Sequence, residues 1–87
     1  MTRTTYTISS TGIDAYMWDV IFALASDYGM DKATRMASPL TDYIKTGRAS
    51  TDFLRRLFQI KPARVARIIA KGGSDNDIMT SIKKVAA

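Results

Sequence analysis

The sequence predicts a mainly α-helical fold: a helix-turn-helix, winged-helix-like unit of three helices, preceded by an extra hydrophobic helix and a short N-terminal strand. Three observations carry this. Apolar residues recur every three to four positions over residues 13–28, 40–44, 54–58 and 65–69, the spacing that places them along one side of a helix. Gly29, Gly47 and the pair Gly72-Gly73 close those stretches, where helices commonly stop on glycine. Pro39 and Pro62 stand just before two of them, at positions that suit the first residue of a helix.

The chain has 87 residues, enough for one domain but not for two with separate cores. It is read as a single domain, 1–87, with a strand and hydrophobic helix over 1–30, the helix-turn-helix over 38–73, and a tail over 74–87. Hydrophobic residues make up 46% of it, which suits a folded protein rather than a disordered tail. There is no cysteine and no histidine. Disulfides and thiolate metal sites are therefore excluded, and the commonest general base and metal ligand are missing. No acid pair, nucleophile or metal cluster can be assembled from the spacing, so neither an enzyme nor a small-molecule substrate or cofactor is expected. No apolar run approaches the ~20 residues of a membrane helix, and the N-terminus lacks the apolar centre of a signal peptide. A cytoplasmic location is expected.

The net charge is +5, and its placement is uneven. Residues 1–42 carry three cations against five aspartates. Residues 43–71 carry eight cations against Asp52 alone, and residues 72–87 balance. A basic segment this concentrated points to a polyanionic partner.

Taken in order, residues 2–9 alternate Thr4, Tyr6 and Ile8 with Arg3, Thr5 and Thr7. They read either as one short strand or as an unstructured leader. Ser10 or Thr11 is the expected cap of a first helix starting near Gly12, with Asp14 in its first turn. Ile13, Met17, Val20, Ile21, Leu24 and Tyr28 make one apolar stripe on it. Trp18, Phe22 and Ala25 make a second, and Asp19, Ser26 and Asp27 remain for water. A helix this apolar is either wholly core or core on one stripe and a homodimer contact on the other. The second option makes Trp18, Phe22 and Ala25 the dimerisation residues.

Residues 31–37 read as a short helical piece capped by Asp31, which Ser38-Pro39 breaks. A new helix then begins at Pro39 and ends before Gly47, with Leu40, Tyr43 and Ile44 inward. Ser50 or Thr51 caps the next helix, to about Phe58, with Leu54, Leu57 and Phe58 inward and Arg55 and Arg56 outward. After a turn at residues 59–61, a helix runs from Pro62 to about Lys71. It buries Val65, Ile68 and Ile69 and exposes Arg64, Arg67 and Lys71. The tail is read as a helix with Ser74 or Asp75 as cap and Ile78, Ile82 and Val85 on one face. A wing hairpin turning over residues 72–77 is the alternative.

The last two helices of the basic segment have the form of a helix-turn-helix with double-stranded DNA as partner. The guanidinium fork matches guanine O6 and N7 in the major groove, so Arg64 and Arg67 are the candidate base readers. Arg48, Arg55, Arg56, Lys61 and Lys71 are placed for phosphates, and Ser50 and Thr51 add contacts at a helix start. A small transcriptional regulator or architectural factor is the expected role.

The run TGRASTDFLRRLFQIKPARVARIIAKGG resembles the C-terminal gamma domain of the FtsK/SpoIIIE DNA translocases. The likeness lies in Gly47-Arg48-Ala49-Ser50, Leu54, Arg56, Ile60, Arg64, Ala66-Arg67 and Ile68-Ile69. It implies a winged helix whose third helix enters the major groove, with Arg64 and Arg67 on basic positions of that helix. Lys61-Pro62-Ala63 stands where the family has Gly-Tyr-Asn, so the family's DNA preference does not transfer. The chain has no phosphate-binding Gly-x-x-x-x-Gly-Lys-Ser/Thr loop, and with it no motor. A weaker likeness is to ribbon-helix-helix repressors, with Arg3, Thr5 and Thr7 as groove readers; Pro39 inside their second helix argues against it. The competing function is a protein-interaction module that inhibits a host protein through the Trp18/Phe22 face or the basic face.

Overall fold

The computed structural model describes residues 6–87, which form five helices: α1 (Ser10–Tyr28), α2 (Met30–Lys45), α3 (Thr51–Leu57), α4 (Pro62–Ala70) and α5 (Asp75–Val85). The fold is mainly α, and no strand occurs among the described residues. Residues 6–9, the described part of the expected strand, are irregular; Arg3 and Thr5 lie outside the described residues.

Helix α1 starts earlier than its composition suggested. Ser9 is the cap, its hydroxyl accepting from the Gly12 amide at 3.1 Å, so Ser10 and Thr11 are already helical. Asp14 therefore sits beyond the first turn, and it meets Lys45 of α2 at 3.5 Å instead. Gly12 has a steric role. A Cβ there would lie 1.9 Å from the Thr7 carbonyl oxygen, so the N-terminal segment crosses α1 where there is no side chain. Met17, Val20, Ile21 and Leu24 are buried as expected, and Tyr16, on neither predicted stripe, is completely buried. Tyr28, at the helix end, is exposed.

The main correction concerns Pro39. It does not start a helix, because α2 runs unbroken from Met30 to Lys45 with Pro39 inside. A proline there deprives the Arg35 carbonyl of its normal i+4 donor. The Ser38 hydroxyl donates to that carbonyl at 2.8 Å, so the acceptor is not orphaned. Ala33, Ala37, Leu40 and Ile44 give α2 a continuous buried edge on both sides of the proline. Burial of that edge, at about 25 cal/mol per Å², outweighs the local break signal.

The other boundaries follow their local signals. Gly29 separates α1 from α2 at φ +81°, a conformation open to glycine and strained for other residues. The end of α2 is a Schellman motif: Gly47 N–H donates to Ile44 and Arg48 N–H to Tyr43. Ser50 caps α3 and accepts from the Phe53 amide. Pro62 opens α4. In α5 the Ser74 hydroxyl accepts from Asp77 N–H while the Asp77 carboxylate accepts from Ser74 N–H. This reciprocal box satisfies two helix-start donors at once. The tail is thus helix and not a wing hairpin.

All five helices feed one core. Helix α1 lies along both α2 and α4, and α5 touches α2 and α4; α3 is not among the closely packed pairs. Short α3 enters the core through its side chains Leu54 and Leu57, joined by Phe58 at its C-cap.

Candidate nucleic-acid interface

Helix α4 is anchored by one face and free on the other. Val65, Ala66 and Ile69 are buried, and α1 is the neighbour that packs most closely on it. Ala66 joins the expected Val65 and Ile69 in that face, while Ile68 is only half-buried. At 3.6 residues per turn, Arg64, Arg67 and Lys71 fall within about 60° of arc centred opposite the buried face, and Lys61 lies about 60° to one side of Arg64 with half-buried Ile68 between them. All four are exposed. Arg64 and Arg67 occupy the middle of α4, Lys61 is its N-cap and Lys71 its C-cap.

The remaining candidates lie on the elements leading into α4. Arg48 follows the Schellman turn of α2, Ser50 is the α3 cap, and Thr51 is the first residue of α3. Arg55 and Arg56 occupy the last turn of α3. The side chains of all five are exposed. Ser50 Oγ already accepts a backbone hydrogen bond, which leaves its own proton to donate.

Charge pairing separates these residues. Arg55 meets Asp52 at 3.6 Å, both strongly exposed, a contact worth little in water. Lys45 is engaged by Asp14. Among the described residues, no carboxylate comes within 4.0 Å of Arg48, Arg56, Lys61, Arg64, Arg67 or Lys71. Six cations thus stand without an internal counter-ion, the condition in which a protein surface attracts external anions.

Not every candidate belongs to one surface. Arg48 lines an open groove of about 430 Å³ between α2 and α5, together with Asp42, Tyr43, Asp75 and Lys83. Lys83 sits over the Tyr43 ring, 4.6 Å from its centroid. That groove mixes both signs of charge and holds no residue of α4, so Arg48 belongs to it rather than to the basic face of α4.

The second α1 stripe is divided as well. Trp18 and Phe22 stack on each other, centroids 5.7 Å apart, and are 48% and 56% exposed. Ala25 is half-buried and packs on the core. At 100° per residue, Trp18 and Phe22 lie opposite Tyr16, Val20 and Leu24, facing away from the core.

Residue-by-residue reading of the sequence missed an aromatic cluster behind the turn between α3 and α4. Tyr6, Tyr16 and Phe58 pack with ring centroids 4.9 to 5.7 Å apart. The Tyr16 hydroxyl donates to the Ile60 carbonyl at 2.8 Å, and the Tyr6 hydroxyl donates to Asp19. Burial pushes both phenols up: Tyr6 to about 12, with help from the Asp19 carboxylate, and Tyr16 above the ordinary tyrosine range, with help from Tyr6. Both stay protonated donors at neutral pH. The available signal was the row Gly12, Tyr16, Val20, Leu24 at intervals of four, which places Tyr16 between residues that pack.

No helix among the described residues is long and apolar enough to cross a membrane. No family model, no curated protein and no solved structure matches the chain.

Proposed function

We propose that the chain binds double-stranded DNA, with α3, the following turn and α4 acting as a helix-turn-helix and the outer face of α4 lying in the major groove. The observation that carries this is the free basic face of α4: Lys61, Arg64, Arg67 and Lys71 on one side, unpaired, opposite a buried apolar face. A helix held from behind offers its outer side chains to a groove without unfolding anything. Arg64 and Arg67 read base edges; Lys61, Lys71, Arg55 and Arg56 neutralise phosphates, with Arg48, Ser50 and Thr51 at the border. The likeness to the FtsK/SpoIIIE gamma domain over residues 39–73 supports the same docking. Such docking suits a regulator or architectural factor, and pairing through Trp18 and Phe22 makes it a homodimer.

The test is a salt titration of duplex binding with the parent chain and the Arg64→Ala/Arg67→Ala variant. Four to six neutralised phosphates give a log–log salt slope of about −4 to −5. The variant is expected to keep its melting temperature and most of that slope, yet lose preference for a selected site over random duplex. Equal site preference in parent and variant would remove α4 as the reading helix.

The exposed Trp18–Phe22 stack favours a second reading, a protein-docking module that takes a partner other than its own copy. Absence of any salt-sensitive duplex binding, together with loss of partner capture in Trp18→Asp, would establish that alternative.

A further inference from the structure

Between Phe58 and the first turn of α4 the chain has few ways to bend. Pro62 has its φ locked near −65° by its ring. Lys61, preceding a proline, is confined to extended conformations and has φ −61° and ψ 135°. The peptide joining Ile60 to Lys61 is therefore the remaining soft point of the turn, where the start of α4 can shift although Val65, Ala66 and Ile69 hold its body on α1. Its carbonyl oxygen is the atom that receives the Tyr16 hydroxyl at 2.8 Å. Tyr16 is fully buried on α1, and α1 is the helix along which α4 lies. On the other side of the turn, the Gln59 and Ile60 amides donate back to the Arg56 and Leu57 carbonyls of α3, so the Ile60 carbonyl is where α1 takes hold of the turn. Phe58 packs on Tyr16 at 5.0 Å, and Tyr6 closes the cluster at 4.9 Å from Tyr16 and 5.7 Å from Phe58.

We infer that Tyr16 is a positioning residue for DNA reading: by holding the Ile60 carbonyl, it fixes the direction in which α4 presents Arg64 and Arg67. The inference rests on the helix-turn-helix reading above. Phosphate contacts tolerate a swing of α4, because they come from long side chains and act over several ångströms. Bidentate base contacts do not tolerate it, since their geometry is set to tenths of an ångström. Loss of the pin should thus cost specificity before it costs general affinity.

The experiment uses Tyr16→Phe, which keeps the ring and its packing and removes only the hydroxyl. Two quantities are read in parallel. One is amide hydrogen exchange over residues 60–65, with residues 78–82 of α5 as internal control. The other is affinity for a duplex selected from a random pool against affinity for random duplex, across a salt series. The expected result is faster exchange at 60–65 with unchanged α5, a salt slope equal to the parent's, and a selected-to-random ratio about 5- to 10-fold lower, the scale of one hydrogen bond. Unchanged exchange at 60–65 would overturn the pin. Faster exchange with both affinities falling equally, or neither, would overturn the positioning role and leave Tyr16 as packing. A parent chain that binds no duplex would overturn the DNA reading itself, and the exchange arm would still report whether Tyr16 holds the turn.

Discussion

Tyr6 shows how one side chain ties the start of the chain to the molecule. Its ring packs edge-on against Tyr16, its hydroxyl donates to Asp19, and Gly12 gives the adjoining Thr7 carbonyl room to approach α1. Desolvation and the Asp19 carboxylate raise its phenol to about 12, against about 10 in an unfolded chain. The folded state therefore holds a proton that the unfolded state gives up above pH 10. This contribution to stability is complete below about pH 10 and is lost as pH rises from 10 towards 12. Tyr16 works in the same direction. Urea denaturation at pH 9 and pH 11.5 should show a smaller fall in stability for Tyr6→Phe than for the parent; titrations common to both chains cancel in that difference. Equal falls would mean that the Tyr6 phenol is not held as described.

Most helix ends were legible in the sequence where the deciding force was local, although the Ser9 cap of α1, equally local, stands just before the Ser10 or Thr11 expected. The glycines after α1, α2 and α4, the Ser50 and Ser74 caps and Pro62 act through one or two residues of backbone, and each marks its helix end as read. Pro39 failed because the deciding force was tertiary: a buried edge running from Ala33 to Ile44 holds both sides of the proline in one helix. Continuity of α2 also removes the objection that Pro39 raised against a ribbon-helix-helix arrangement. The described part of its required strand is nevertheless irregular. Tyr16 and its bond to Ile60 were illegible for a related reason, since 44 positions separate the partners and no periodicity connects them. The basic face of α4 was legible because Arg64, Arg67 and Lys71 obey helical spacing and have few acids near them in sequence. Ser38 and Pro39 form a unit that a double-mutant cycle can measure. Ser38→Ala should destabilise the parent by about 1 kcal/mol, because the Arg35 carbonyl then loses its donor. In a Pro39→Ala background the restored backbone N–H supplies that donor, and Ser38→Ala should be close to neutral. A coupling near zero in denaturant melts would show that the Ser38 hydroxyl does not substitute for the missing N–H.

At the scale of the whole molecule, the charge and the apolar stack sit on separate helices with α1 between core and solvent. Helix α4 packs on the inner side of α1, and Trp18 and Phe22 stand on its outer side. Two copies joined through that outer side would stack four helices in the order α4, α1, α1 and α4. With packed helices about 8–10 Å apart, the outer α4 axes would then be separated by about 24–30 Å. Because each basic face lies opposite the side of α4 that packs on α1, the two faces of such a stack point away from each other, and one dimer would present them to two separate duplex segments. The half-exposed aromatic pair contributes roughly 100 Å² per ring, or about 400 Å² over two copies. That is an apolar centre, and the remainder of the ~1,200 Å² of a stable interface must come from its surroundings, so affinity in the micromolar range is expected. Sedimentation of the free chain should accordingly show a concentration-dependent dimer, and that dimer should bridge two short duplexes. Trp18→Asp should leave the melting temperature nearly unchanged, since the ring is half in solvent. It should abolish the dimer and the bridging of two duplexes, and leave binding to a single duplex intact. Bridging of two duplexes by Trp18→Asp would mean that the two copies meet elsewhere.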